Sequence, residues 1–451
     1  MKSLFINPKV ANIYEGLSIE QIPYLKKVIK NSKTLQKRLS FSEKTFSGLG
    51  LLTAASVAKE CAFDIEFDFI DENFDTIDLR EILNKEYDFI AIGGNVYQMN
   101  RMLAIANRAL KRQIPVVVGG MAAMTFPQLF KRKGISLILG ECETLLPTYI
   151  VDLKNNNPKD QYLSSSRTGI DLSISPIPLF STIFKYDYTL IGIQTTRGCP
   201  SRCEFCQVSN IMGSHYRHKP VNNIINEIRL IQQYWPDAFF FFYDNNLFSN
   251  RTFARELLTK MVQEGIQFKR WGTNSDVTIY QSEDLLDLCF KIGPLDYLGI
   301  GFESLSSESL KTIGNSKKVS LQKEYNTIVK KLKQKGVGVF GYFMFGFENS
   351  KEEDLYEIID FIISNRINAQ ISQLVPMPGT KLFDRLQREY ETKNQKISKN
   401  ILRQWHILKD YLLSKCGISK IEMTKMLSDA YSQIYDDKLF LSQKPLPAPF
   451  L

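Results

Sequence analysis

"LIGIQTTRGCPSRCEFC", residues 190–206, runs from a short apolar stretch through Gly198 into three of the chain's seven cysteines, set within eight positions. Leu190 to Ile193 are apolar, β-branched or glycine, which reads as a buried strand that breaks at Gly198. Cys199, Cys203 and Cys206 therefore lie on a loop at the carboxyl end of a strand, spaced C-x-x-x-C-x-x-C. The other cysteines, Cys61, Cys142, Cys289 and Cys416, are scattered singly, which argues against a disulfide framework and for a reducing compartment. Structural zinc takes four protein ligands, and His215 or His218 could complete a Cys3His set. Three thiolates suit a [4Fe–4S] cluster equally well, although a fully cysteine-ligated cluster uses four. The fourth iron would then be open, and an open iron is a place for chemistry.

Downstream of the triplet, strand and helix patterns alternate. Strands are expected at 189–194, 238–244, 269–274, 297–303, 338–346 and 369–379, with amphipathic helical stretches between them. Six β/α units predict an open, partial TIM-type barrel over 187–385, whose active site lies at the carboxyl ends of the strands. In order, those ends carry the cysteine loop, Asp244-Asn245-Asn246, Asn274, Glu303-Ser304, Gly346 and Pro376-Met377-Pro378-Gly379. A polar residue often just closes an apolar strand. Gathered on the rim that bears the cysteines, these become candidate cofactor contacts, and Asp244 and Glu303 can hold an ammonium or ribose hydroxyls by charge-assisted hydrogen bonds.

Upstream, residues 1–153 alternate in the same way, with strands at 3–7, 65–70, 89–94, 116–120 and 137–140. Short apolar strands between helices imply a parallel sheet covered on both faces, with ligands outside the carboxyl ends. Glycines stand at three of those ends: Gly93-Gly94-Asn95, Gly119-Gly120 and Gly140-Glu141. They make tight turns or let a ligand approach the backbone.

The bulk numbers suit a multi-domain globular protein: 451 residues, 44% hydrophobic and 23% charged. No apolar run approaches the ~20 residues of a membrane span, and "MKSLFINP" lacks a signal-peptide pattern, so a cytoplasmic location is expected. Part of the net charge of +9 sits in residues 24–38, six bases without an acid, whose apolar spacing predicts a solvated amphipathic helix. A nucleic-acid partner is not expected. Residues 386–451 read as a basic helical segment ending in "KPLPAPFL", with Trp405, His406, Tyr411 and Tyr431 expected to pack a small cap.

"RGCPSRCEFC", with Phe205 before the third cysteine, resembles the radical SAM signature. "FFYDNNLF", "GIGFES" and "PMPGT" are similar to later segments of the cobalamin-dependent branch, so the likeness runs from about 190 to 385. Tyr216-Arg217 fits that family's basic position after the loop. "LGLLTAASVAKE", "PVVVGGMAAMTFP" and "LILGECETLLP" are similar to the cobalamin-binding domain that precedes the barrel in this branch, with Cys142 in place of a usual glycine.

The resemblance implies an α/β chain in four parts. These are a Rossmann-like cobalamin-binding domain (1–153), a linker (154–186), a partial (β/α)6 radical SAM barrel (187–385) and a C-terminal helical segment (386–451). It implies a [4Fe–4S] cluster on Cys199, Cys203 and Cys206, whose open iron chelates S-adenosylmethionine (SAM) for reductive cleavage to a 5′-deoxyadenosyl radical. SAM contacts are expected at Phe205, Asp244, Asn245, Asn274, Glu303, Pro376 and Gly379. Cobalamin contacts are expected at Leu49, Gly50, Gly94, Asn95, Gly119, Gly120, Gly140, Glu141 and Glu143. The three histidines, His215, His218 and His406, all fall outside 1–153, so no local imidazole is available to cobalt.

The implied reaction is methylation of an unactivated carbon of a small-molecule, lipid or peptide substrate, with flavodoxin or ferredoxin as electron donor. A cyclase or rearrangement enzyme on the same scaffold is the alternative. A methylthiotransferase would need three more cysteines in the first domain, which holds only Cys61 and Cys142. A zinc-stabilised nucleic-acid-binding protein would need no SAM.

Overall fold

A computed structural model describes residues 1–9, 45, 48–62, 64–75, 86–164, 169–314, 316–393 and 396–435. The basic stretch 24–38 and the terminal "KPLPAPFL" lie outside the described residues. Two six-stranded parallel sheets organise the chain.

The first sheet contains β1 (Lys2–Asn7), β2 (Glu66–Asp71), β3 (Phe89–Gly93), β4 (Val116–Gly119), β5 (Ile135–Leu139) and β6 (Gln161–Leu163), ordered β2-β1-β3-β4-β5-β6. Strand order reverses between β1 and β3, the place where such sheets open a crevice at their carboxyl ends. Alternation along each strand decides which helix covers it. Leu4, Ile6, Ile90 and Val118 face the helix Met99–Leu110, whereas Phe5, Phe89 and Val117 face the helix Leu49–Cys61. The sixth strand was not expected. It falls in the stretch read as a linker, and three residues carry too little periodicity to register as a strand.

The second sheet runs in sequential order through β7 (Leu190–Ile193), β10 (Phe239–Phe242), β11 (Trp271–Ser275), β12 (Leu295–Glu303), β13 (Val339–Phe345) and β14 (Asn368–Gln373). A short antiparallel ribbon, β8 (Thr196–Arg197) with β9 (Arg217–His218), stands between the first two of these. All six strands fall where the pattern predicts, except that β14 stops at Gln373 rather than reaching 379. Pro376 and Pro378 lack the N–H that a continuing ladder needs. Outward residues such as Ile191, Phe240, Phe242, Leu298 and Ile300 join the core beneath the helices, while Phe239, Phe241, Tyr297 and Phe340 pack together on the opposite, inner face. Among the described residues no helix is long and apolar enough to cross a membrane.

Edge strand β14 would leave backbone groups unpaired, and the C-terminal helix Lys420–Ile434 covers them. The Tyr431 hydroxyl accepts from Ile371 N at 3.1 Å and faces Ile371 O at 3.2 Å. The Tyr435 hydroxyl accepts from Ala369 N at 3.3 Å and donates to Ala369 O. Tyr431 thus packs the cap, as expected, but through hydrogen bonds to a strand edge.

Tyr435→Phe should leave the amide and carbonyl of Ala369 buried without that partner. The expected cost is about 1–3 kcal/mol, read as a lower urea midpoint at unchanged slope; an unchanged midpoint would show that the tyrosine does not secure the edge.

Candidate functional site

The cysteine loop leaves and re-enters the fold through one neck. In the β8–β9 ribbon Thr196 pairs with His218 and Arg197 with Arg217, closing residues 198–216 into a loop. Gly198 starts it at φ 88°, where a Cβ would run into the His215 carbonyl, so only glycine serves. The Cys199 amide bonds Gly213 O at 3.1 Å and the Cys206 amide bonds Cys203 O at 3.1 Å. None of the three is in a disulfide, and all are half-buried. Burial, followed by the nearness of Cys203, Cys199 and Glu303, pushes the Cys206 thiol up to about 11. Among the described residues no three His, Cys, Asp or Glu side chains converge to hold a single metal ion.

The rim residues divide by role. Asp244, expected at SAM, is fully buried and committed elsewhere. Its carboxylate accepts from Thr195 N at 3.1 Å and Thr195 Oγ1 at 3.0 Å, and from both the amide and the hydroxyl of Thr196. It anchors the root of the cysteine loop to the end of β10. Phe205, also expected at SAM, packs into an apolar cluster that includes Ile313, Leu374 and Leu382. Asn245 donates to the Met212 sulfur at 3.5 Å.

Asn274 and Glu303 do reach the inner rim. Asn274 donates to Asp244 O at 3.1 Å, and its own Oδ1 is buried with no partner among the described residues. Glu303 pairs with Lys318 and has the left-handed φ of 67°, rare for a non-glycine residue. Gly299 and Gly301 lie beneath them, where a Cβ would strike Asn274 Oδ1 or the Glu303 carboxylate. Pro376 is buried and Gly379 exposed. The turn they frame is tied to the cysteine loop by Gln207 Nε2 to Pro378 O at 3.1 Å and by Asn210 to Gly379 O.

On the first sheet, Gly94 and Gly120 lie against each other. Gly120 has φ 82°, a Cβ there would sit 2.8 Å from Gly94 O, and Ala122 N bonds that same oxygen at 3.1 Å. Gly119 precedes Gly120 at the end of β4. Asn95 caps the next turn, accepting from Tyr97 N at 2.9 Å. Leu49 and Gly50 open the helix Leu49–Cys61, and among the described residues a Cβ on Gly50 would meet nothing within 4 Å.

Glu141 and Glu143, expected at cobalamin after Gly140, are instead engaged by the barrel. Arg197 bonds Glu141 at 3.1 Å and Glu143 at 2.7 Å, and Arg217 bonds Glu141 at 2.8 Å. Burial would raise the Glu143 carboxyl, yet Arg197 beside it holds the group below the usual carboxylate range. Sequence reasoning passed over Arg197, Thr195 and Thr196 within the quoted motif because their partners lie about fifty residues away or more. No sequence signal marked Lys318.

Two further contacts hold the first sheet, one to the cysteine loop and one to the C-terminal segment. Gln207, beside Cys206, donates to Thr125 Oγ1 at 3.2 Å, and Phe126 packs against Trp405 with ring centroids 5.2 Å apart and the planes tilted at 59°. Residues after β4, after β5 and after β7 therefore meet, so the carboxyl edges of the two sheets face each other.

Residues 193–362 match the model of the Radical SAM superfamily. Bacteriochlorophyllide d C-12(1)-methyltransferase of Chlorobaculum tepidum is 27% identical over 84% of this chain and 82% of its own length. Hopanoid C-2 methylase of Rhodopseudomonas palustris is 25% identical over 71% of this chain and 61% of its own. The solved structure of TsrM from Kitasatospora setae, a radical S-adenosylmethionine methyltransferase with cobalamin and a [4Fe-4S] cluster bound, superposes with a TM-score of 0.63 at 14% identity, covering 86% of this chain and 78% of that one. At that identity the likeness is one of fold.

Burial lifts the Asp244 carboxyl to about 6 against the pull of its threonine hydrogen bonds. Its folded value lies above its unfolded one, so its contribution to stability falls as pH rises from about 4 through 6. Asp244→Asn should remove that slope, as measured by urea unfolding at pH 4.5 and 7; an identical slope in the variant would show the carboxylate titrating normally.

Proposed function

We propose that this chain, a radical SAM enzyme by its superfamily domain and its methyltransferase relatives, methylates an unactivated carbon with the help of a [4Fe–4S] cluster, SAM and cobalamin. The observation that carries the reading is the three-cysteine loop set on the barrel rim and facing a second, glycine-edged sheet.

The residues present fit the groups this requires. Cys199, Cys203 and Cys206 supply three thiolates on one loop; a four-iron cluster is an extended body, so its ligands need not converge on one point. Asn274 Oδ1, buried and unpartnered among the described residues, and the Glu303 carboxylate, both packed over Gly299 and Gly301, suit a polar cationic ligand such as SAM. At the first sheet, Tyr97 is 73% exposed just past β3 and Leu163 is 63% exposed at the end of β6. Large apolar side chains bared at a carboxyl edge suit the face of a macrocycle such as cobalamin. We assign that role to residues 1–153 together with the strand Gln161–Leu163, and the SAM chemistry to the barrel over 187–385.

When bound, these groups supply reductive cleavage of a sulfonium and carriage of a methyl group, and the protein aligns them. The chain's share is to seat the cluster on its three thiolates, to hold SAM by Asn274 and Glu303, and to keep water from the space between the two edges. The bacteriochlorophyllide and hopanoid relatives favour a large, weakly polar ring system as substrate, ahead of a peptide. A flavodoxin- or ferredoxin-type protein supplies the electron.

Cys199→Ala, Cys203→Ala and Cys206→Ala should each abolish SAM cleavage and the ~400 nm absorbance of an anaerobically reconstituted cluster, whereas buried Cys289→Ala should keep both. Loss of absorbance in Cys289→Ala would overturn the ligand assignment. With substrate, S-adenosylhomocysteine and 5′-deoxyadenosine should form in nearly equal amounts, and methyl-deuterated SAM should deliver three deuteria to the product. A product without SAM-derived carbon would decide for a cyclase or rearrangement enzyme.

A further inference from the structure

Glu141 sits where three separate segments converge. Its carboxylate receives Arg197 from β8 at 3.1 Å, Arg217 from β9 at 2.8 Å and the Ile170 amide at 2.8 Å. Arg217 also bonds Ile170 O at 2.8 Å and Met212 O, inside the cysteine loop, at 2.6 Å. Glu143 receives the other branch of Arg197 at 2.7 Å and the Ser175 hydroxyl at 2.8 Å. Side-chain exposure is 13% for each arginine, 15% for Glu141 and 2% for Glu143. Gly169 lies so close to the Arg217 guanidinium that a Cβ there would push it aside.

Two carboxylates and two guanidiniums balance in charge and are shielded from water, so each holds its partner far more firmly than an exposed pair would. The arginines are the paired residues of the ribbon that closes the cysteine loop. The glutamates follow β5 and open the helix Cys142–Lys154 at the ligand-bearing edge of the first sheet. The same bonds therefore shut the neck of the loop and fix that edge over it.

We infer that Glu141 and Glu143 are positioning residues for the cysteine loop: they register the first sheet's carboxyl edge to it through Arg197 and Arg217, so that order at either site supports order at the other. A coupling of this kind is reciprocal. Its consequence for cofactors rests on the function proposed above; its consequence for the protein alone does not.

Hydrogen exchange on the full chain without cofactors tests the clasp. Glu141→Gln should speed amide exchange across 198–216, and Arg217→Lys should speed it across 140–146. Each change should be about 5-fold or more, the lower end of site-to-site coupling, while the inner strands β4 and β10 keep their protection. Faster exchange confined to the mutated segment, or spread evenly over the molecule, would overturn the inference. Should Glu141→Gln fail to fold, Glu141→Asp and Arg217→Lys carry the same comparison.

In the reconstituted protein, wild type should bind hydroxocobalamin more tightly with the cluster present than without it. Glu141→Gln should lose that difference while retaining its iron; an undiminished difference would also overturn the inference. A wild-type chain that takes up neither iron nor hydroxocobalamin would instead overturn the proposed function and leave the exchange result standing.

Discussion

A single carboxylate without access to water holds the root of the cysteine loop. Asp244 closes β10 and takes amides and hydroxyls from both Thr195 and Thr196, where the chain passes from β7 into the neck ribbon. Parallel neighbours in such a sheet share backbone bonds only along the strands, and beyond the last rung the chain is free to wander. Asp244 extends the tie between β7 and β10 past that rung. Everything that follows in the loop, from Gly198 to the return at Tyr216, inherits its direction from this anchor.

From there two further ties decide what the loop faces. Arg197 and Arg217 grip the first sheet through Glu141 and Glu143, and Gln207 reaches Thr125 and Pro378. One contact comes from the residues after β5, the other from those after β4, so the first sheet is held at two points along its carboxyl edge. Two points of attachment remove the hinge that a single one would allow. The C-terminal segment adds Trp405 against Phe126 and closes β14 with two tyrosine hydroxyls. It thus belongs to the same framework rather than hanging from it.

The inner face of the barrel shows how the space is kept. Its lower part is plugged by Phe239, Phe241, Tyr297 and Phe340, where tight packing excludes water. Higher up, Gly299 and Gly301 withhold side chains beneath Asn274 and Glu303.

Local pattern sufficed for the elements and for the thiol spacing, because both depend on neighbours in sequence. Apolar strands at near-regular intervals foretold eleven of the twelve strands of the two sheets, and the one overlooked, Gln161–Leu163, is too short to show a period. The role of each carboxylate was another matter. Asp244, Glu141 and Glu143 all stand at strand ends, where the pattern marks them as ligand contacts, yet the donors that claim them lie 49, 56, 76 and 54 residues away in sequence. A carboxylate does what the donors within about 3 Å of it allow. Which donors those are depends on how the sheets are brought together, and only the tertiary structure decides that.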